Sequence, residues 1–206
     1  MRDRVAVVDY GMGNIRSVLN ALSEVGSEGV LVSQAEQLES CRRVILPGVG
    51  AFGEAMTRLR ASGMDAALNR VRQNGALVFG ICLGMQLVCR SSDEGGGHAG
   101  LGSIDAEVKR FGGAAGLKVP HMGWNELRLT RDHYLTKGVD DAADVYFVHS
   151  YYVACEHEQD LLATSEYGVR FVSMLARDNV LGAQFHPEKS QQPGLRILAN
   201  FANAPC

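Results

Sequence analysis

Ala76-Leu77-Val78-Phe79-Gly80-Ile81-Cys82-Leu83-Gly84-Met85-Gln86 reads as a buried strand that turns into a helix through a cysteine flanked by glycines. A strand–turn–helix with a nucleophilic side chain at the turn is a nucleophile elbow, here with cysteine in place of serine. The glycines let the backbone bend sharply and leave room for a substrate beside the sulfur. A helix that starts just beyond Cys82 directs its positive end at the thiol and favours the reactive thiolate. Taken alone, the segment also fits a small buried cysteine between two packing glycines.

Upstream of the elbow, short apolar runs alternate with helical spacing. Val5-Ala6-Val7-Val8 is apolar throughout, as a strand covered on both faces must be. Residues 14–25 place Ile15, Val18, Leu19 and Leu22 on one helical stripe. Val30-Leu31-Val32 and Val44-Ile45-Leu46 are the next strands, and helices are expected over 54–61 and 64–73. This alternation predicts an α/β fold with an open, mostly parallel sheet flanked by helices.

Downstream, residues 93–102 form a loop rich in glycine. Strands follow over 103–111, 118–129, 144–154, 161–167, 171–176 and 180–184, which predicts antiparallel strands added to the sheet in the second half. A last helix over 192–203 offers Leu195, Leu198 and Phe201 for packing. No repeat or linker divides the chain, so residues 1–206 are expected to form a single domain.

Composition narrows the function classes. A 206-residue chain with 46% hydrophobic and 21% charged residues is an ordinary globular protein with a real core. A net charge of −3 supplies no basic field for nucleic acid or an anionic membrane. No apolar run is long enough to span a bilayer. Met1-Arg2-Asp3-Arg4 leads directly into a strand-like segment, which argues against a secretory signal. Cys41, Cys82, Cys89, Cys155 and Cys206 are scattered, with no Cys-x-x-Cys pair, so neither a disulfide framework nor a zinc site is expected. Cys82, Cys89 and His98 match no zinc spacing. The expectation is a cytoplasmic protein with reduced thiols, no metal and no cofactor.

A cysteine nucleophile needs a base, and the base needs an orienting group. His186-Pro187-Glu188 supplies both just after the apolar segment Val180-Leu181-Gly182-Ala183. The carboxyl ends of parallel strands gather at one edge of a sheet, the edge that also carries Cys82. Glu188 would fix the tautomer of His186 and stabilise its imidazolium form. Apart from Cys82, the tripeptide also fits an exposed strand-end histidine with a solvated glutamate. The amide of Leu83 is placed to stabilise an oxyanion, and Pro47-Gly48-Val49-Gly50 can turn a second N–H toward it. Gly11-Met12-Gly13-Asn14 lacks the third glycine of a dinucleotide-binding fingerprint, because that position is Arg16.

Together these elements resemble class I (triad-type) glutamine amidotransferases. More narrowly, the chain resembles the glutaminase subunits that serve imidazole glycerol phosphate formation in histidine biosynthesis. The supporting segments run from Asp9-Tyr10-Gly11-Met12-Gly13-Asn14 and Pro47-Gly48-Val49-Gly50-Ala51-Phe52 through Val119-Pro120-His121-Met122-Gly123-Trp124-Asn125. Tyr146-Phe147-Val148-His149-Ser150-Tyr151-Tyr152 and residues 184–190 complete them. The resemblance implies hydrolysis of L-glutamine through a thioester on Cys82, with His186 as base and acid and Glu188 as its orienting group. It implies that Gly50, Gln86, Ser150 and Tyr151 hold the glutamine, and that Val49 and Leu83 give the oxyanion donors. It also implies a heterodimer with a (β/α)₈-barrel cyclase, with Asn14, Tyr146 and Lys189 at the interface and ammonia passed inside.

Other readings of the same segments stay open. His121 reads as a structural residue, the 119–125 segment also fits a bend with a packed tryptophan, and Lys189 also fits a solvated surface charge. A homologous amidotransferase for surface-sugar biosynthesis, or a cysteine hydrolase outside glutamine chemistry, is the alternative function. A non-catalytic module of the same fold is a third.

Overall fold

The computed structural model describes residues 4–112 and 117–205. Met1–Asp3 and Cys206, which entered the reading of the sequence, lie outside the described residues. Five strands form the parallel half of the main sheet: β1 (Arg4–Val8), β2 (Glu28–Val32), β3 (Arg43–Gly48), β4 (Leu77–Cys82) and, from far along the chain, β14 (Val180–Ala183). Their spatial order is β2-β1-β3-β4-β14, every neighbour parallel. α1 (Ile15–Glu24), α2 (Phe52–Ala61), α3 (Met64–Gln73) and the terminal α5 (Gln191–Ala202) cover the two faces.

The apolar runs explain the layering. In β1, Val5 and Val7 point into one core layer, with Val18 and Leu22 of α1 and with Ile197, Leu198 and Phe201 of α5. Ala6 and Val8 point into the other, with Met56 and Leu59 of α2 and Leu68 and Val71 of α3. Successive strand side chains face opposite ways, so a strand buried on both faces must be apolar at every position. Phe79 of β4 meets Phe201 at 5.2 Å between ring centroids, which ties the elbow strand to the last helix.

The short helix α4 (Leu83–Leu87) leads to β5 (Cys89–Ser92), β6 (His98–Ala99) and β7 (Ile104–Arg110). These join β11 (Tyr151–Cys155) and β13 (Val169–Arg177) in extending the sheet past β14, as β14-β13-β11-β7-β5-β6. β12 (Leu161–Tyr167) pairs with β13 and with β9 (Arg128–Leu129). The added pairings are antiparallel except β5 with β7.

Four expectations change in detail. The run expected over 118–129 divides into His121–Glu126 in one sheet and β9 in another, and 180–184, grouped with the antiparallel additions, is β14, which runs parallel to β4. Residues 144–154 are not one strand: β10 (Asp144–His149) pairs with β8 (His121–Glu126) in a separate two-stranded sheet, and β11 joins the main sheet. Ser150 is the bend between them, and no periodicity marks it, because both halves are apolar and aromatic. The glycine-rich segment 93–102 also holds a turn of 3₁₀-helix at Glu94–Gly96 and the two-residue strand β6.

Candidate active site

Cys82 closes β4 with φ 54° and ψ −110°. A non-glycine residue there carries strain on the order of 1–3 kcal/mol, which persists only where the surroundings impose it. The imposing contact is at Gly84: a Cβ on that residue would overlap the carbonyl oxygen of Leu46. The close seat of α4 on β3 therefore requires glycine, and it turns the Cys82 side chain to the sheet edge. α4 has only five residues, so the dipole expected from a longer helix shrinks to little more than one turn. Polar groups approach the sulfur instead, with the Val148 carbonyl oxygen at 3.8 Å and Gln184 Nε2 at 3.9 Å.

His186 reaches the same edge because β14 runs parallel to β4, with Gly182 beside Gly80 and Ala183 beside Ile81. The side chains of His186 and Glu188 are only 2% and 1% exposed. His186 Nδ1–H donates to Glu188 Oε1 at 2.8 Å, and Asn14 Nδ2 donates to the same oxygen at 3.4 Å. Burial alone would lower the imidazole pKa. Hydrogen bonding and charge from Cys82 and Glu188 outweigh it and raise the pKa to about 10. Nε2 has no partner of ordinary hydrogen-bond geometry, so the thiol acts on the ring through a loose contact. Such contacts tighten when substrate is bound. The neighbouring Tyr10 phenol is pushed well up, first by burial and then by the negative charge of Cys82.

These groups open onto a cleft of about 420 Å³. Of the residues singled out from the sequence, Val49, Gly50, Cys82, Leu83, Gln86, Ser150, Tyr151 and His186 line it. Leu83 is the first residue of α4, where an N–H has no partner inside the helix. Gly50 sits at φ +97°, a backbone state that other residues adopt only under strain. Gln86 is buried, and its Nε2 donates to the Tyr151 carbonyl at 2.9 Å and to Gln184 Oε1 at 3.0 Å. Glu188 stands behind His186 and does not line the cleft.

Four lining residues were not foreseen: Glu94, Pro120, Val148 and His149. Glu94 Oε2 accepts the Phe52 N–H at 2.7 Å and so braces the start of α2 against the glycine-rich segment. An acidic residue beside a glycine run gives no sequence signal of its own, because its place depends on how the loop folds back. His149 faces the cleft from the end of β10 and was hidden inside an aromatic strand.

The three residues expected at a partner interface are placed differently from one another. Asn14 is part-buried against Glu188. Lys189 is exposed, with Nζ 5.9 Å from the centre of the Tyr146 ring. Tyr146 in turn meets Trp124 edge to face at 5.8 Å. Trp124 is 48% exposed and Met122 62%, which counts against the alternative of a bend with a packed tryptophan. Among the described residues no group of three or more His, Cys, Asp or Glu side chains has the arrangement of a metal site. No helix among them is long and apolar enough to cross a membrane.

The family model for glutamine amidotransferase class-I matches residues 6–204. The imidazole glycerol phosphate synthase subunit HisH of Moorella thermoacetica is 46% identical over 197 residues, covering 96% of this chain and 93% of that protein. The HisH subunit of Sulfurimonas denitrificans is 46% identical over 200 residues, covering 96% of each. Among solved structures, PurLQS from Thermotoga maritima superposes with a TM-score of 0.78 over 98% of this chain and 99% of that one, at 17% identity. That last likeness is one of fold.

Proposed function

Because this chain belongs to the class-I glutamine amidotransferase family, we propose that it is the glutaminase subunit of an imidazole glycerol phosphate synthase. One observation carries the chemistry: an imidazole with its pKa near 10 is buried between the elbow thiol and a carboxylate, at the wall of a cleft. The HisH names of relatives 46% identical over nearly the full chain favour histidine biosynthesis over a surface-sugar role.

In this reading Cys82 Sγ attacks the side-chain amide carbon of L-glutamine. The oxyanion receives the N–H of Leu83 and, after rotation of its peptide, that of Val49. The C–N bond then breaks as the His186 imidazolium gives its proton to the leaving nitrogen, which departs as ammonia and leaves a γ-glutamyl thioester. Water, losing its proton to His186, attacks the thioester carbon, and glutamate and the Cys82 thiol are released. Glu188 holds the Nδ1–H of His186 throughout, so Nε2 always faces the sulfur. Gly50, Gln86, Ser150 and Tyr151 hold the amino-acid end of the substrate, and the Glu94 carboxylate suits its ammonium group.

The partner is a (β/α)₈-barrel cyclase, seated on the face that Met122, Trp124, Tyr146 and Lys189 present. Exposed aromatic and thioether side chains have the composition of an interface core rather than of ordinary surface, with Lys189 at its polar rim. Asn14 joins that face to the triad through Glu188. Ammonia then enters the barrel and is consumed in forming imidazole glycerol phosphate and aminoimidazole carboxamide ribotide. The chain works as one domain, in the cytoplasm, with no metal or cofactor of its own.

The test is Cys82→Ala in the assembled complex. Glutamine-dependent product is lost, and synthesis from added ammonium salt continues at the parent rate. Ammonia release from glutamine at the parent rate would refute the assignment.

A further inference from the structure

The buried side of β8 and β10 holds two histidines to which the proposed reaction gives no role. His121 and His149 lie directly opposite each other across the antiparallel pair, and both are buried. His121 stacks between Tyr167 at 4.0 Å and Phe147 at 4.8 Å. Their polar contacts form an unbroken line. Asn125 Nδ2 is 3.3 Å from His121 Nε2, His121 Nδ1 is 3.0 Å from His149 Nε2, and His149 Nδ1 is 2.8 Å from the Tyr151 carbonyl oxygen. The line ends at the cleft, on the same oxygen that receives Gln86 Nε2 at 2.9 Å.

Donor and acceptor capacity permits one arrangement of protons. The Tyr151 oxygen only accepts, so His149 carries its proton on Nδ1. At the far end the Asn125 amide is fixed, because its nitrogen donates to the Glu166 carbonyl and its oxygen accepts the Glu126 N–H, both at 2.8 Å. That nitrogen has no lone pair to offer, so His121 Nε2 must accept, and His121 also carries its proton on Nδ1. Both ends then agree on the middle bond, from His121 Nδ1–H to His149 Nε2. A second proton on either ring would set two N–H groups against each other. Burial acts in the same direction, lowering His121 to about 4 and, against the opposing hydrogen bond to the Tyr151 carbonyl, His149 to about 3.

We propose that His121 and His149 form a neutral, one-way hydrogen-bond relay that positions the Tyr151 carbonyl, and through it Gln86 and the 150–151 backbone, to grip the amino-acid end of glutamine. The relay rests on the glutaminase reading and deepens it. Both histidines are positioning residues, since neither acts on the sulfur or on the bond that breaks. Loss of the grip weakens ground state and transition state alike, so it raises KM and leaves kcat nearly unchanged.

Long-range ¹H–¹⁵N correlation of the imidazoles in the unsubstituted full chain at neutral pH tests the proton arrangement. Both rings should show a protonated Nδ1 and a pyridine-like Nε2; an Nε2–H tautomer or an imidazolium on either ring overturns the relay. The second arm is steady-state glutaminase kinetics in the assembled complex. His149→Leu fills the space without a donor and should raise KM for glutamine severalfold, up to about tenfold, with kcat within about threefold, the scale of one lost hydrogen bond on a carbonyl that keeps Gln86 as its other donor. His149→Asn returns an N–H near the Nδ1 position and should recover most of that loss. An unchanged KM in the leucine variant, or equal damage in both variants, overturns the positioning role. If the parent complex does not hydrolyse glutamine, the functional reading fails, and the tautomer signals still decide the relay.

Discussion

Glu188 holds the Nδ1–H of His186 at 2.8 Å with one carboxylate oxygen, while its other oxygen is buried with no partner. A desolvated carboxylate half-used in this way is costly unless the imidazole beside it is positive. In the proposed reaction the pair therefore acts through charge as well as orientation. Glu188→Gln keeps an acceptor and removes the charge. We expect glutamine-dependent turnover to fall by about a hundredfold or more, with ammonium-dependent synthesis unchanged. Paired assays with the two nitrogen sources check it.

His186 also predicts an alkaline dependence of stability. Its folded pKa, about 10, lies above the ordinary value of 6.5. Between those values the folded chain binds more protons than the unfolded one, so stability is full below pH 6.5 and is lost as pH rises toward 10. Urea midpoints across that range should fall steadily, and the slope should flatten in Cys82→Ala, which removes a partner of the imidazolium.

On the acid side the sign reverses. His121 titrates at about 4 and His149 at about 3 when folded, below the ordinary 6.5. The unfolded chain takes up protons first as pH falls from 6.5, so stability drops through that window until the buried rings themselves protonate. For His121 alone the loss is on the order of 3 kcal/mol. His121→Phe should unfold with a visibly weaker dependence on pH between 6.5 and 4.

Gly84→Ala is expected to fail structurally, because its methyl group would meet a main-chain carbonyl that cannot swing aside. Overpacking costs about 1–3 kcal/mol even where side chains can yield. Thermal melting should show a loss at the upper end of that range or beyond, and alkylation of Cys82 should lose its selectivity.

Trp124→Ala should separate affinity from fold. The ring is nearly half exposed and touches Tyr146 rather than the core. Melting temperature should stay within a degree or two of the parent, while affinity for the proposed cyclase partner falls about tenfold or more, as for a central aromatic anchor. Calorimetric titration against the proposed cyclase checks the affinity, and a thermal scan checks the melting temperature.

The parallel half of the sheet was legible because β1, β3 and β4 carry continuous apolar runs, the pattern that two-sided burial demands, and the edge strand β2 was marked by the short run Val30-Leu31-Val32. The elbow was legible because glycines at 80 and 84 bracket a cysteine. His186 and Glu188 were placed at that edge by the rule that parallel strands share their carboxyl ends, although the pairing of β14 with β4 was not itself legible in the sequence. The split at Ser150 was not legible: β10 and β11 are equally apolar, and only their partners, β8 and β7, differ. Glu94 and His149 escaped for a related reason. Each enters the cleft from an element whose direction is set by contacts far away in the chain, as where Glu94 reaches Phe52.

The main chain of Tyr146 accepts the N–H of His186 and donates its own N–H to Ser190 Oγ, while its ring lies against Trp124 and below Lys189. One strand thus carries the seat of His186 on its spine and the surface lettering on its side chains. That lettering can be rewritten, residue by residue, for a differently shaped companion without unpicking the stitches that keep the imidazole in place.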